Sequence, residues 1–392
     1  MERLKILHIL GDSKFGGGSV IVLRLAQKAK EYGWHVDVLT TDPIFKKILE
    51  ENDMGVIDLE VIWRDINPPK DLWGLYKLYK FLKNSDYTIV HTHTSKGGFI
   101  GRLAAYLAKI PIIIHTVHGF AFHEQSSPFK IYFFSFLERL ASHWCDRIVT
   151  VSEFHRDWAL KLGIGSKEKV IAIPNGIPEE RVLPKRSKEE IRRELGLDKE
   201  IVILFTGRLA PQKGVEYLIK AVPILSSKIN IPFKILLVGE GPLRSYLEEL
   251  VKNLNIEQYV KFLGFRKDIE NLLSISNIVV LPSLWEGLSI ALLEAMAAEK
   301  PIVTTTIGSN LEVVKGGLSA LLVPPKDSGA LANAIIKLIE NPELASRLAR
   351  EAKERYEKYY TEDLMLERYM DLYSFLYNIK IKRNGERKNK KS

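Results

Sequence analysis

Residues 201–214 read IVILFTGRLAPQKG. The first six are β-branched, apolar or aromatic and too few for a stable helix, so they predict a buried strand running into the glycine loop behind it. Four more runs of this kind follow, at 234–238, 260–263, 278–281 and 302–306, and five precede it, at 4–10, 35–41, 88–92, 112–117 and 147–151. Amphipathic segments such as 20–32 and 99–108 lie between them. Strands that alternate with helices form parallel sheets through right-handed crossovers, with helices on both faces. The fold class is therefore α/β. Because the alternation restarts at Ile201, after the Pro/Gly-punctuated Ile173-Pro-Asn-Gly-Ile-Pro178, the chain reads as two doubly wound domains, 1–180 and 181–360, facing across a cleft. A last helix, 364–376 within 361–379, is expected to pack back on the first domain, and 380–392 to be disordered.

With 392 residues, 46% of them hydrophobic, the chain is long enough for two sizeable cores. Its single cysteine, Cys145, can form neither an internal disulfide nor a cysteine zinc site, which fits a reducing compartment. Asp12 and Lys14 interrupt the opening apolar run too early for a secretory signal, and no run approaches the roughly 20 apolar residues that span a bilayer. A cytoplasmic location is expected. Six of the nine net positive charges sit in 380–392, where seven Lys or Arg face one Glu. That tail could touch anionic lipid, RNA or nothing. The remaining body is close to neutral, which argues against nucleic acid as its partner.

Four groups of residues suggest chemistry. The loop Gly11-Asp-Ser-Lys-Phe-Gly16-Gly17-Gly18-Ser19 follows the first strand and precedes a helix. Glycines there let the backbone approach a diphosphate and the helix start offers free N–H groups, although a plain strand-to-helix turn explains the loop as well. It matches neither G-x-G-x-x-G nor the Walker sequence, and Asp42 after the second strand does not by itself make a dinucleotide site, so a nicotinamide dehydrogenase is disfavoured. His91 and His93 share a strand face, compatible with a metal or a packed core; with no cysteine or carboxylate cluster beside them, no metal is expected. His115 and His118 end the next strand, and His118, followed by Gly119, stands where open α/β sheets place ligands. Arg208 and Lys213 lie on the loop after the first strand of the second half, where two cations suit charge on a leaving diphosphate.

The last group is 281–296, LPSLWEGLSIALLEAM. A strand ends, Gly287 turns the chain, and a helix runs from about Leu288, so the N–H groups of Leu288 and Ser289 can face a phosphate. Glu286 precedes the helix and Glu294 sits about two turns into it. Carboxylates hold hydroxyl pairs, and a glutamate beside Leu293 and Met296 is costly to bury without a partner.

In this order the residues resemble the retaining family-4 glycosyltransferases of GT-B fold, across 3–376: the E-x7-E spacing of Glu286 and Glu294, the G-R-x4-K-G loop, the G-G-G loop and the His-Gly pair. The segments VHTHTSKGGFIGRLAA and IIIHTVHGFAFHE are similar to the bacterial branch that builds surface polysaccharides and lipid-linked glycans. Ser289 departs from the proline of many members. The resemblance implies two Rossmann-like domains and transfer of a hexose or N-acetylhexosamine from a nucleotide-sugar, above all a UDP-sugar, to a glycan or lipid-linked acceptor. It implies Arg208 and Lys213 on the donor diphosphate, helped by the N–H groups of Leu288 and Ser289 and by the loop at Gly17 and Gly18. Glu294 would hold the ribose, Glu286 the transferred sugar and His118 its reacting face, with Gly239, Gly241 and Phe265 beside the nucleoside. Catalysis would rest on His118, Arg208, Lys213 and Glu286, with retention, no metal and no cofactor beyond the nucleotide-sugar substrate. A sugar-nucleotide epimerase of the same fold and a scaffold that has lost activity are the competing readings. The aromatic helices at 72–83 and 129–144 are expected to be core more often than membrane-facing. With the basic tail added, they predict weak peripheral association with an anionic membrane, on the inner face of the plasma membrane.

Overall fold

The computed structural model describes residues 4–11, 16–63 and 65–382. They divide into two units, Met1–Asn175 with Asp363–Ser392, and Gly176–Glu362. The divisions fall at 175/176 and 362/363 rather than at 180 and 360, and the hydrogen bonding of Ile177 gives the reason. Ile177 bridges Thr361 in parallel, its N–H donates to the Tyr360 carbonyl at 3.1 Å, and Tyr356 Oη donates to its carbonyl at 2.9 Å.

The first unit runs β1 (Lys5–Gly11), α1 (Gly17–Glu31), β2 (His35–Thr40), α2 (Pro43–Glu51), β3 (Gly55–Ile57), α3 (Pro68–Lys83), β4 (Ile89–His93) and α4 (Ser95–Leu107). It continues with β5 (Ile112–Val117), α5 (Pro128–Ser142), β6 (Arg147–Thr150), α6 (Glu153–Lys161) and β7 (Val170–Ala172). Its parallel sheet has the order β3-β2-β1-β4-β5-β6-β7. Side chains alternate between two cores: Ile6 and Leu10 of β1 join one with Leu25 of α1, and Leu7 and Ile9 join the other with Leu78 of α3 and Ala104 of α4. Asp42 has a local task here, capping α2 by accepting from Phe45 N at 2.8 Å.

The second unit runs α7 (Lys188–Glu194), β8 (Ile201–Thr206), α8 (Val215–Lys228), β9 (Phe233–Val238), α9 (Arg244–Asn253), β10 (Val260–Gly264), α10 (Ile269–Ile275) and β11 (Ile278–Leu281). There follow α11 (Ile290–Ala297), β12 (Ile302–Thr305), α12 (Gly308–Val313), β13 (Leu321–Val323), α13 (Ser328–Glu340) and α14 (Pro342–Tyr359). Its parallel sheet has the order β10-β9-β8-β11-β12-β13. Both sheets reverse direction of winding once, at β1/β4 and at β8/β11, and such switch points are where open α/β sheets leave a crevice outside the strand ends.

The last helix, α15 (Glu362–Tyr377), belongs to the first unit's sheet, where Met365, Tyr369, Met370, Tyr373 and Leu376 enter the same core as Ile6 and Leu25. A wide helical turn over Asn378–Lys382 follows. Lys380, read as the start of a disordered tail, is tied down: its Nζ donates to Asp146 Oδ1 at 2.6 Å and to the Pro111 carbonyl at 2.8 Å. Residues 383–392 lie outside the described residues.

The aromatic helices depart from the expectation of core. Phe129 is 78% exposed and Tyr132 66%, and Phe133 and Phe136 of α5 and Leu72, Trp73 and Tyr76 of α3 are exposed too. α4 packs against both helices, so the aromatics lie on neighbouring elements. Among the described residues no helix is long and apolar enough to cross a membrane.

Candidate functional site

In the second unit the two loops that leave the switch-point strands come together. After β8 the chain passes Gly207 and Arg208 into a short 3-10 turn, Pro211–Lys213, and Gly214 starts α8 with φ 59. A Cβ at Gly214 would stand 2.2 Å from the Pro282 carbonyl oxygen, so a glycine is what lets this loop close on the one after β11. Leu284 N donates to the Gln212 carbonyl at 2.7 Å and locks the pair.

This closure delivers the cation to the carboxylate. Lys213 Nζ lies 2.5 Å from Glu286 Oε1, Ser283 Oγ donates to the same oxygen at 2.8 Å, and Gln212 Nε2 donates to Oε2 at 2.9 Å. Glu286 is buried, with a side chain 5% exposed. A carboxylate has about four acceptor positions, so the described residues fill three and leave one, on Oε2. Arg208 is exposed on the same loop, and its side chain has no partner among the described residues.

The helix after Glu286 starts at Ile290, not Leu288. Ser289 is its N-cap residue, at φ −76 and ψ 111, and makes no side-chain cap bond; its buried Oγ has no partner among the described residues. That φ is one proline's ring adopts, so the serine stands in a backbone that either residue fits. Leu288 and Ser289 are both buried. Glu294 lies inside α11 and is also buried, which pushes its carboxyl up; the nearby Arg181 and Lys213 oppose that shift, and Glu270 adds to it. Its partner is Arg181, whose Nε donates to Oε1 at 2.5 Å from the short 3-10 turn Glu179–Val182.

Gly239 and Gly241 follow β9, and a neighbouring backbone explains both. A Cβ at Gly239 would fall 1.9 Å from the Gly207 carbonyl oxygen, and one at Gly241 2.3 Å from that of Leu209. The two loops are laced by Gly207 N to Val238 O at 2.9 Å and Leu209 N to Glu240 O at 3.0 Å. Phe265, after β10, is 72% exposed.

In the first unit the glycine loop opens α1. Gly17 is its first residue and a Cβ there would meet nothing, whereas one at Gly18 would sit 3.5 Å from His118 Cδ2. Asp12 to Phe15 lie outside the described residues. His118 follows β5, and burial pushes its imidazole down to about 4, so the ring is neutral near pH 7. Its Nε2 is 3.1 Å from His93 Nδ1. His91 and His93 share a face with His8, and ligand nitrogens of the three lie within 4.8 Å of one another. His91 already uses both nitrogens, on Tyr373 Oη at 2.6 Å and Thr116 Oγ1 at 2.7 Å.

Two loops therefore assemble Lys213, Glu286 and Arg208 on one side of the β8/β11 switch, and His118 meets the Gly18 loop in the other unit. The sequence reading missed Ser283, Gln212, Arg181 and His8. Ser283 and Gln212 stood inside the quoted loops without a role. Arg181 stands in no motif, and only its contact with Glu294 distinguishes it.

The family model described as Glycosyltransferase Family 4 matches residues 15–181, and that described as Glycosyl transferases group 1 matches 187–355. A relative from Escherichia coli, UDP-Gal:alpha-D-GlcNAc-diphosphoundecaprenol alpha-1,3-galactosyltransferase, is 34% identical over 282 residues, covering 71% of this chain and 73% of that protein. The chain belongs to the family-4 glycosyltransferases. A second relative of this glycosyltransferase is N,N'-diacetylbacillosaminyl-diphospho-undecaprenol alpha-1,3-N-acetylgalactosaminyltransferase of Campylobacter jejuni, 27% identical over 93% of this chain and 98% of that protein. Anabaena Alr3699/HepE in complex with UDP and glucose superposes with a TM-score of 0.82 at 24% identity, over 95% of this chain and all of that one. That likeness fixes the fold of the glycosyltransferase as GT-B, two parallel-sheet α/β domains.

Proposed function

We propose that this glycosyltransferase moves a hexose or N-acetylhexosamine from a UDP-sugar to a lipid-linked glycan, with retention of anomeric configuration and without a metal. The observation that carries the reading is the meeting of Lys213 with Glu286 at 2.5 Å beside the exposed Arg208, at the strand ends where the second sheet reverses. Two cations at that place suit the charge that develops on a leaving diphosphate, the task a metal performs elsewhere. The free acceptor position on Glu286 suits one sugar hydroxyl, and buried Glu294 suits the ribose. His118 is neutral and suits a hydrogen bond to the sugar. The names of the relatives, with undecaprenyl-diphosphate acceptors in Escherichia coli and Campylobacter jejuni, support the acceptor class.

In the reaction the acceptor hydroxyl oxygen bonds to the anomeric carbon on the face from which the diphosphate departs. The C1–O bond breaks with its electron pair remaining on the diphosphate, and that oxygen takes the hydroxyl proton. The exposed aromatics of α3 and α5, set among the exposed Lys70, Lys77, Lys80 and Lys130, support docking on an anionic lipid surface, where such an acceptor resides.

The test is turnover of UDP-galactose, UDP-glucose and their N-acetyl counterparts with a polyprenyl-diphosphate-linked N-acetylhexosamine, in EDTA, with the product anomer read by NMR. An inverted anomer overturns retention, and loss of activity in EDTA overturns metal independence. Conversion of donor without acceptor identifies an epimerase instead. Arg208→Ala and Lys213→Ala should each lower kcat on the order of 10²-fold; full turnover in both overturns their assignment. Binding to anionic vesicles that survives Phe129→Ser/Phe133→Ser removes α5 from the membrane account.

A further inference from the structure

β1, β4 and β5 are neighbours, and their register sets His8 opposite His91 and His93 opposite Thr116. On the face that α1 and α15 cover, three imidazoles form a line. His8 Nδ1 is 3.0 Å from His93 Nε2, and His93 Nδ1 is 3.1 Å from His118 Nε2. The end nitrogens, His8 Nε2 and His118 Nδ1, are buried and have no partner among the described residues. Burial pushes His8 down to about 3, His118 to about 4 and His93 well below its ordinary value, so all three rings are neutral. A metal at His8, His91 and His93 would have to break the His8–His93 bond and one of the two bonds of His91, with no carboxylate to offset its charge.

A neutral imidazole carries one N–H and one bare nitrogen. Both bonds of the line can then form in only two ways: every ring protonated on Nδ1, or every ring protonated on Nε2. The second leaves an unpaired N–H on His8, a fully buried residue in the middle of β1. The first leaves it on His118, at a strand end beside Gly18 and the exposed Gly119, where a Cβ would meet nothing within 4 Å. A buried donor left unpaired costs about 1–3 kcal/mol, and only the His118 end can recover it.

We propose that His8 and His93 are positioning residues that hold His118 in its Nδ1–H tautomer, so that the neutral ring donates a hydrogen bond to an oxygen of the bound sugar nucleotide. The ligand half of this statement rests on the proposed donor site; the tautomer half does not. Free histidine prefers the Nε2–H form, so the line works against the ring's own preference.

The experiment is a two-bond proton–nitrogen correlation spectrum of the full chain carrying ¹⁵N-labelled histidine, with His118 assigned by the signals lost in His118→Gln. Expected is a protonated Nδ1 and a bare Nε2 on His118, retained when UDP-glucose is added. His93→Phe should return His118 to the Nε2–H form, while His93→Asn, whose amide N–H stands in for Nδ1–H, should keep the Nδ1–H form. In His93→Phe kcat falls about tenfold, the rate equivalent of one neutral hydrogen bond, and His93→Asn restores it. A His118 that is Nε2–H in the unaltered protein, or Nδ1–H in His93→Phe, overturns the proposal. If the tautomers behave as expected but His118→Gln turns over at the full rate, the line stands and the donor contact of His118 falls.

Discussion

Lowering the pH from about 7.5 to about 5.5 is expected to loosen the first unit and leave the second nearly untouched. All nine histidines lie between His8 and His155, within the first unit. His8 titrates at about 3 and His118 at about 4 in the folded chain, both depressed by burial. In the unfolded chain each has the ordinary value near 6.5. Between these values the unfolded state binds more protons, so stability is fully present above about 6.5 and is lost as the pH falls toward the folded values. At pH 5.5 each of the two contributes a loss of about 1.4 kcal/mol, or about 3 kcal/mol together. His91, His93 and His115 are depressed in the same sense and add to the loss. The assay is hydrogen exchange read by mass spectrometry on the full chain at both pH values, corrected for intrinsic rates. Protection of β1, β4 and β5 should fall by at least about a hundredfold, the share of His8 and His118 alone, with β8, β9 and β11 changing by no more than a few-fold. Equal losses in both units, or a first unit unmoved, would refute the reasoning.

Three further outcomes follow from single contacts. Tyr373→Phe removes the partner of buried His91 Nδ1 and should cost about 1–3 kcal/mol in urea unfolding; an unchanged midpoint would mean that the hydroxyl does not help dock α15. Gly214→Ala sets a Cβ against the Pro282 carbonyl at φ 59, so more than about 1 kcal/mol of stability should go, and turnover with it as the Glu286 loop shifts; a variant that melts like the parent contradicts this. Arg181→Met leaves Glu294 buried without its cation; because Arg181 is itself 40% exposed, the cost should be about 1–2 kcal/mol, with weaker binding of UDP by calorimetry. Unaltered UDP affinity there would separate the ion pair from the donor.

The central strands could be read directly, since runs such as Ile201–Thr206 are buried on both faces and continuously apolar. β3, β7 and β13 could not: each is three residues long and lies at a sheet edge, too short to carry a pattern. The cations and glutamates stood out because charge on a glycine loop or within an apolar helix is unusual. Arg181 did not, because a charge in a polar stretch is ordinary until its partner is known. Gly239 and Gly241 have a reason inside the protein that no motif shows, since a Cβ at either would meet the carbonyl oxygen of Gly207 or Leu209. The histidine line depends on the register of three strands distant in sequence, which no local spacing encodes. The exposed face of α5 shows the opposite failure, since aromatic composition alone does not distinguish a core helix from one that presents its rings.

The return of α15 to the first unit has a consequence for how the chain is made. A ribosome releases 176–362 before 365–376, so the unit encoded in the middle can close its core while the one begun first still lacks Tyr369 and Tyr373. A chain that lacks α15 leaves the face of the first unit lined by Ile6 and Leu25 without its cover. Removal of α15 should therefore be felt around β1 and α1, near the other end of the sequence, because they share its core.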